Sequence, residues 1–208
     1  MNWHLFAAFL VITAVLIVVP GPIVTLVIAT GARQGTRAAL VTVAGTSLGN
    51  TVLLAAIALG LGWVLRNAET LFVVMRWVGA AYLIWLGINA WRHAGAVESA
   101  EASRRVNFTR GFLVALSNPK TIAFFTAFLP QFVDRTLPAG PQLFVMCAVT
   151  ALLAAFSDLA WAVASGILAS KMGRAFLMQP ARAKMLGRLS GAVLIGGGLW
   201  LSLARRTS

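Results

Sequence analysis

The sequence predicts an all-α polytopic membrane protein: six transmembrane helices in two inverted three-helix repeats, each repeat with a broken first helix. Three observations support this fold class. First, 60% of the 208 residues are hydrophobic, more than an ordinary soluble domain contains. Second, the hydrophobic residues fall into six long runs. Third, proline-containing motifs interrupt the first and the fourth run at corresponding places.

Most of the runs reach the ~20 residues that a helix needs to cross ~30 Å of hydrocarbon. They cover residues 5–30, 38–64, 69–90, 110–132, 141–169 and 186–204. Three crossings in the first half oblige the second half to enter the membrane in the opposite sense. We therefore predict a first three-helix repeat at 1–95, a cytoplasmic linker loop at 96–107 and a second repeat at 108–208.

The net charge of +12 would suggest nucleic-acid binding in a soluble protein, but here the basic residues cluster at the ends of the runs. With six crossings, both termini share one side. That side carries five Lys and Arg residues, the other side carries eleven, and Lys120 lies inside a run. Because cytoplasmic loops carry the excess of basic residues, both termini are predicted outside the cytoplasm, and no nucleic acid is expected as a partner.

The motifs Pro20-Gly21-Pro22 and Asn118-Pro119-Lys120 break the first run of each half. A proline removes a backbone donor, and freed backbone groups are tolerated in lipid only where they face protein or a water-filled cavity. Matched breaks in two halves are typical of a transporter's substrate site. Free N–H groups just after Pro22 would favour a substrate carboxylate. All six residues are predicted to bind substrate.

Asp158 is the one acidic residue well inside a run, and an aspartate at mid-bilayer costs ~2.5–3.5 kcal/mol. This cost indicates a function, either proton coupling or balancing the charge of a substrate ammonium. A structural ion pair with Lys120 is the alternative, and a switchable pair would serve both purposes. Lys120 could also meet a substrate carboxylate directly.

Asn50 lies in the second run of the first half, as Asp158 does in the second half. It is predicted to bind substrate because an amide suits both ends of an amino acid, although it could simply link two helices. Gln131 would gate the site or cap a helix. The spacings Gly45-xxx-Gly49 and Gly187-xxx-Gly191 indicate close helix contacts, either inside one chain or across a homodimer.

Catalytic and cofactor motifs are absent from the sequence. Both histidines lie outside the runs, and no Cys/His ligand spacing predicts a metal site. The single Cys147 excludes an internal disulfide. The sequence contains neither a phosphate-binding loop nor a nucleophile elbow. We therefore expect neither an enzyme nor a bound cofactor.

Over nearly its whole length the chain resembles the LysE/RhtB family of amino-acid exporters. The matching stretches are Pro20-Gly21-Pro22, Gly31–Gly35, Gly45 with Gly49, Gly79–Leu83, Phe108–Phe112, Asn118-Pro119-Lys120, Phe124-Phe125, Leu129–Phe132 and Asp158. The resemblance implies efflux of small amino acids or close derivatives across the inner membrane, driven by the proton gradient. Its cargoes include homoserine, threonine, lysine, arginine, leucine and cysteine, which these motifs do not separate.

Other functions stay open at this point. The chain could export another small metabolite or a cation, although the scarcity of buried acids argues against a divalent metal. It could also be a redox or scaffold subunit of a membrane complex. A purely structural role leaves Asp158 and Lys120 unexplained.

The charge distribution predicts the topology. A reporter fused after Gly95 should lie in the cytoplasm, and a reporter fused at Ser208 should lie outside it, because three crossings separate the two positions. Paired alkaline phosphatase and fluorescent-protein fusions measure the location of each. Both reporters on the same side would contradict the predicted topology.

Overall fold

The computed structural model describes residues 2–18, 20–67, 69–92, 104–172 and 180–203, which form helices and short connections without a strand. The helices are α1 (Trp3–Val18), α2 (Pro22–Gln34), α3 (Thr36–Asn67), α4 (Glu69–Arg92), α5 (Arg104–Leu116), α6 (Pro119–Phe128), α7 (Ala139–Met172) and α8 (Pro180–Leu203). A 3₁₀ turn, Leu129–Phe132, follows α6. The predicted all-α class is confirmed.

Both proline motifs separate two helices. Helices α1 and α2 are bent by 42° relative to each other, and α2 begins at Pro22. Helix α6 begins at Pro119, directly after Ser117 and Asn118. A proline in the first position of a helix loses no hydrogen bond, because that N–H would have no intrahelical acceptor, and its fixed φ suits the helix.

Three stretches of the described residues are long and apolar enough to cross a membrane, namely Thr36–Trp63, Asn107–Phe132 and Ala139–Ser170. The bent pair α1–α2 would make a fourth. Helices α4 and α8 add the shorter apolar stretches Trp77–Asn89 and Gly191–Trp200. By length and composition the described residues thus give three or four crossings, whereas the sequence analysis predicted six.

The linker predicted at 96–107 falls mainly outside the described residues. Its last four residues belong to α5, which begins at Arg104.

Gly35 is the single residue between α2 and α3. Its φ of 87° lies in the left-handed region, which glycine adopts without a steric cost.

Glycines bring α3 and α5 into backbone contact. A Cβ atom on Gly45 or Gly49 would collide with backbone atoms of Phe108 or Phe112, and one on Gly111 would collide with the Thr42 carbonyl. Because glycine has no side chain, the two helix backbones can approach closely in lipid. The Gly45-xxx-Gly49 spacing therefore serves packing inside the chain.

Two further helix pairs pack in the same way. In α8, Gly191 lies against the backbone of Gly87, and Gly198 lies against the backbone of Ala80, both in α4. Helix α7 approaches the end of α2 where Gly31 meets Ser165. These contacts join the first half of the chain to the second through α2–α7, α3–α5 and α4–α8.

The loop between the 3₁₀ turn and α7 is fixed by Gln142, which is buried. The Gln142 side chain accepts a hydrogen bond from the Asp134 backbone N–H and donates to the carbonyl groups of Asp134, Leu137 and Pro138. The hydroxyl and the N–H of Thr136 both donate to Asp134 Oδ1. These bonds favour the charged carboxylate and lower the pKa of Asp134.

The backbone contact between α3 and α5 predicts an effect of Gly45→Ala. The added methyl group should force the helices apart and lower the free energy of unfolding by about 1–3 kcal/mol. Gly60→Ala is the matched control on the same helix, since nothing lies within 4 Å of the added Cβ. Thermal unfolding in detergent compares the two variants, and equal stabilities would contradict close packing at Gly45.

Candidate functional site

A cavity of about 60 Å³ lies at the two helix breaks. Five of the eight predicted site residues line it, namely Gly21, Asn50, Asn118, Lys120 and Asp158. Leu16, Ile17, Ile23, Val24, Thr121, Phe125, Thr150 and Ala154 complete its wall. Pro20, Pro22 and Pro119 are sequence neighbours of lining residues but do not line the cavity themselves. The fold thus brings side chains from both halves of the chain together.

Asn118 caps α6. Its side-chain oxygen accepts a hydrogen bond from the Lys120 backbone N–H, with an N···O distance of 3.1 Å, and its backbone carbonyl accepts from Ile122. Asparagine at the N-cap followed by proline is a favourable start for a helix. The Asn-Pro-Lys motif therefore starts α6. Asn118 and Lys120 line the cavity because α6 begins beside it.

Lys120 links the two breaks. Its side chain reaches from the first turn of α6 to α1, where Nζ donates a hydrogen bond to the Leu16 carbonyl oxygen at 2.8 Å. That carbonyl belongs to the last turn of α1, whose carbonyl groups have no intrahelical donor. A cation at this end also interacts favourably with the helix dipole. Lys120 thus stabilises the C-terminal end of α1.

Gly21 leaves room for Lys120. A Cβ atom at position 21 would lie 3.1 Å from Lys120 Cδ and 3.4 Å from Nζ. A larger residue would therefore push the ammonium group away from Leu16. Gly21 is also the N-cap of α2, and its carbonyl accepts from the Thr25 N–H.

Asp158 also lines this cavity and belongs to α7. Its Oδ2 atom accepts a hydrogen bond from the Thr46 hydroxyl of α3 at 3.0 Å. Asp158 is only 7% exposed and Lys120 only 8%, and the two groups interact electrostatically. Since an isolated buried charge is costly, each charge on this cavity compensates the other.

Asn50 presents an unpaired acceptor. Its side chain is buried, and within the described part of the chain its Oδ1 atom has no hydrogen-bond partner. Buried polar atoms are nearly always paired, so this oxygen is suited to accept from a ligand or a water in the cavity. Gln131 lies away from the cavity, in the 3₁₀ turn.

The sequence analysis missed Thr46 and Thr150. On α3, the buried residues Thr42, Thr46 and Asn50 are spaced four apart, and on α7 Thr150, Ala154 and Asp158 have the same spacing. Residues four apart lie on one helix face. The position of each threonine on the same helix face as Asn50 or Asp158 was a signal in the sequence that could have identified both threonines.

The model of the LysE type translocator family matches residues 14–205. The chain belongs to the LysE family. The family resemblance noted in the sequence is therefore confirmed, and the chain is a multi-pass protein of the cell membrane that acts as a transporter rather than an enzyme. Family membership also decides against the redox and scaffold alternatives.

Relatives of this LysE-family chain align with it end to end. An uncharacterized membrane protein of Vibrio cholerae is 30% identical over 99% of this chain and 100% of its own length. The homoserine/homoserine lactone efflux protein of Salmonella typhimurium is 31% identical over 99% of both chains. The leucine efflux protein of Klebsiella pneumoniae is 29% identical over 92% of this chain and 91% of its own. No solved structure matches the chain significantly.

The contact between Lys120 and Leu16 predicts an effect on stability. Lys120→Met should leave the Leu16 carbonyl unpaired and lower the free energy of unfolding by about 1–3 kcal/mol. The control is Lys184→Met, at an exposed position of α8. Thermal unfolding measures the loss, and hydrogen exchange of the last turn of α1 locates it. Unchanged protection in that turn would contradict the proposed capping of α1.

Proposed function

We propose that this LysE-family transporter exports a small amino acid or a close derivative from the cytoplasm by proton-coupled antiport. The observation that carries the proposal is the cavity at the two helix breaks, where Lys120, Asp158 and Asn50 meet. The relatives support the substrate class, because two of them are named as efflux proteins for homoserine or its lactone and for leucine.

One end of the cavity suits a carboxylate. The first turn of α2 contributes Ile23 and Val24 to its wall, and the N–H groups of a first helical turn have no intrahelical acceptor. Such a turn favours an anion, and the Lys120 ammonium adds a full positive charge. Pro20, Gly21 and Pro22 expose this turn, while Asn118 and Pro119 position the turn that carries Lys120.

The Asn50 and Asp158 side chains on the cavity suit an ammonium group. Asn50 Oδ1 has no hydrogen-bond partner among the described residues, and the Asp158 carboxylate provides a negative charge. A zwitterion with its carboxylate toward Lys120 and its ammonium toward Asp158 would match both charges. No net charge is then added to the buried cavity, which avoids the cost of an unpaired ion.

The cavity has to widen before an amino acid can bind. Its volume of about 60 Å³ holds a few water molecules, whereas pockets for drug-sized ligands have roughly 300–1,000 Å³. A transporter that alternates between two faces of the membrane changes the width of its central site in each cycle.

Six crossings remain the proposed topology, with α4 and α8 as the third and sixth and both termini outside the cytoplasm. Each of these helices has 24 residues, or about 36 Å at 1.5 Å per residue, enough to span the hydrocarbon. Helix α3 packs against α7, and α4 packs against α8. Each pair joins helices at corresponding positions in the two halves, as a two-fold axis between inverted repeats would do.

Asp158 is the proposed proton carrier. Outward movement of substrate would be exchanged for inward movement of protons if protonation of Asp158 and occupancy by substrate favour opposite members of the same pair of conformations. The substrate ammonium and the proton would then compete for one carboxylate, which is the simplest chemical basis for exchange.

Asp158→Asn tests this proposal, because the amide keeps the shape of the side chain and cannot titrate. In inverted vesicles, accumulation of labelled homoserine or leucine driven by a proton gradient should fall at least about fivefold, whereas exchange without a gradient should persist. The control is Thr51→Val, at an exposed position on α3. Gradient-driven accumulation at the wild-type level, with equal protein in the membrane, would refute the coupling role.

A further inference from the structure

Thr46 contacts the proposed proton carrier but belongs to none of the motifs that identify the family. Its Oγ1 atom lies 3.0 Å from Asp158 Oδ2 and 3.1 Å from the Val43 carbonyl oxygen of its own helix. The Thr46 side chain has no exposed surface. The hydroxyl group therefore lies between two acceptors in a place that bulk water does not reach.

A hydroxyl group has one hydrogen to donate and lone pairs with which to accept. When Asp158 is ionised, the Thr46 hydrogen points to Oδ2. When Oδ2 carries a proton, that proton can be donated to Oγ1 while the hydroxyl hydrogen turns to the Val43 carbonyl. The carboxylate gains one proton and Thr46 gains none. In both states a hydrogen bond joins Thr46 Oγ1 to Asp158 Oδ2.

We propose that Thr46 is a positioning residue that holds Asp158 in both of its protonation states. A buried polar atom that loses its partner costs far more than an average hydrogen bond contributes. A fixed donor would serve only the ionised carboxylate, and a fixed acceptor only the protonated one. The hydroxyl serves both by rotation. This inference rests on the proposed role of Asp158 as proton carrier.

The other groups around Asp158 do not duplicate this role. Lys120 of α6 carries the charge that acts on the carboxylate, and it is held by the Leu16 carbonyl of α1. Helices α1 and α2 present the apolar side chains of Ile17 and Val24 to the cavity, and α3 presents the neutral Asn50. A change at Thr46 should thus leave the charges around Asp158 in place.

The test compares four variants of the full chain reconstituted in lipid. Thr46→Val and Thr46→Ala remove the hydroxyl, whereas Thr46→Ser keeps it. Thr42→Val is the matched control, because Thr42 is equally buried one turn earlier and its hydroxyl donates to the Ala38 carbonyl. Infrared difference spectroscopy follows the protonated carboxyl band of Asp158 against pH, and the band is assigned by its loss in Asp158→Asn.

The hydrogen bond to the charged carboxylate is the stronger of the two, so loss of the hydroxyl should move the titration midpoint about one pH unit higher, a tenfold change in proton affinity. Thr46→Ser and Thr42→Val should titrate like the wild type. The proposal is wrong if Thr46→Val and Thr46→Ala keep the wild-type midpoint, if Thr42→Val shifts it equally, or if no Asp158 band titrates.

This measurement is separate from the transport test. A shifted midpoint together with gradient-driven transport by Asp158→Asn would show that Thr46 holds a titrating carboxylate and would refute the coupling role of Asp158. An unshifted midpoint together with loss of gradient-driven transport in Asp158→Asn would refute the role of Thr46 and support the coupling role of Asp158. Thr46→Ala adds no bulk between α3 and α7, so it supplies the same titration if Thr46→Val is lost from the membrane.

Discussion

A helix that stops inside a membrane leaves carbonyl groups without donors, and in this protein the Lys120 ammonium supplies a donor for α1. The bond to Leu16 requires a break in each half of the chain, because Lys120 lies in the first turn of α6 and its acceptor in the last turn of α1. It also requires a small residue at Gly21. The two proline motifs are therefore parts of one junction rather than two separate kinks.

Around this junction, close backbone contacts leave few ways for the helices to shift. Glycines bring α3 against α5 and α4 against α8, with backbone atoms where a Cβ would otherwise lie. Interfaces of this kind are held by van der Waals packing, because lipid offers no hydrophobic driving force between helices. A frame of this kind can place Thr46 of α3 against Asp158 of α7, which loops could not do with the same precision.

Much of this candidate site could be predicted from the sequence. A proline or a charge inside an apolar run costs free energy and is therefore expected where it serves a function. The two breaks, Lys120 and Asp158 were predicted on this ground, whereas Asn50 was predicted because an amide suits both ends of an amino acid. The cost argument missed Thr46, because a threonine in a helix can bond to its own backbone and carries no comparable cost. It also could not show that Lys120 contacts Leu16, 104 residues away, since that contact depends on packing.

In the proposed mechanism, the two buried charges would let the cavity accept either a zwitterion or a proton. Lys120 is held by the end of α1 and the positive charge therefore stays in place, whereas Asp158 is held by a hydroxyl that can turn. The carboxylate of Asp158 is therefore the group whose charge would change, because a proton and a substrate ammonium would compete for it. An ammonium at Asp158 keeps the carboxylate ionised, and a proton neutralises it, so the same site would hold one of the two at a time. Exchange of substrate for protons then needs a single carboxylate, and the fixed cation keeps that carboxylate compensated when neither is bound.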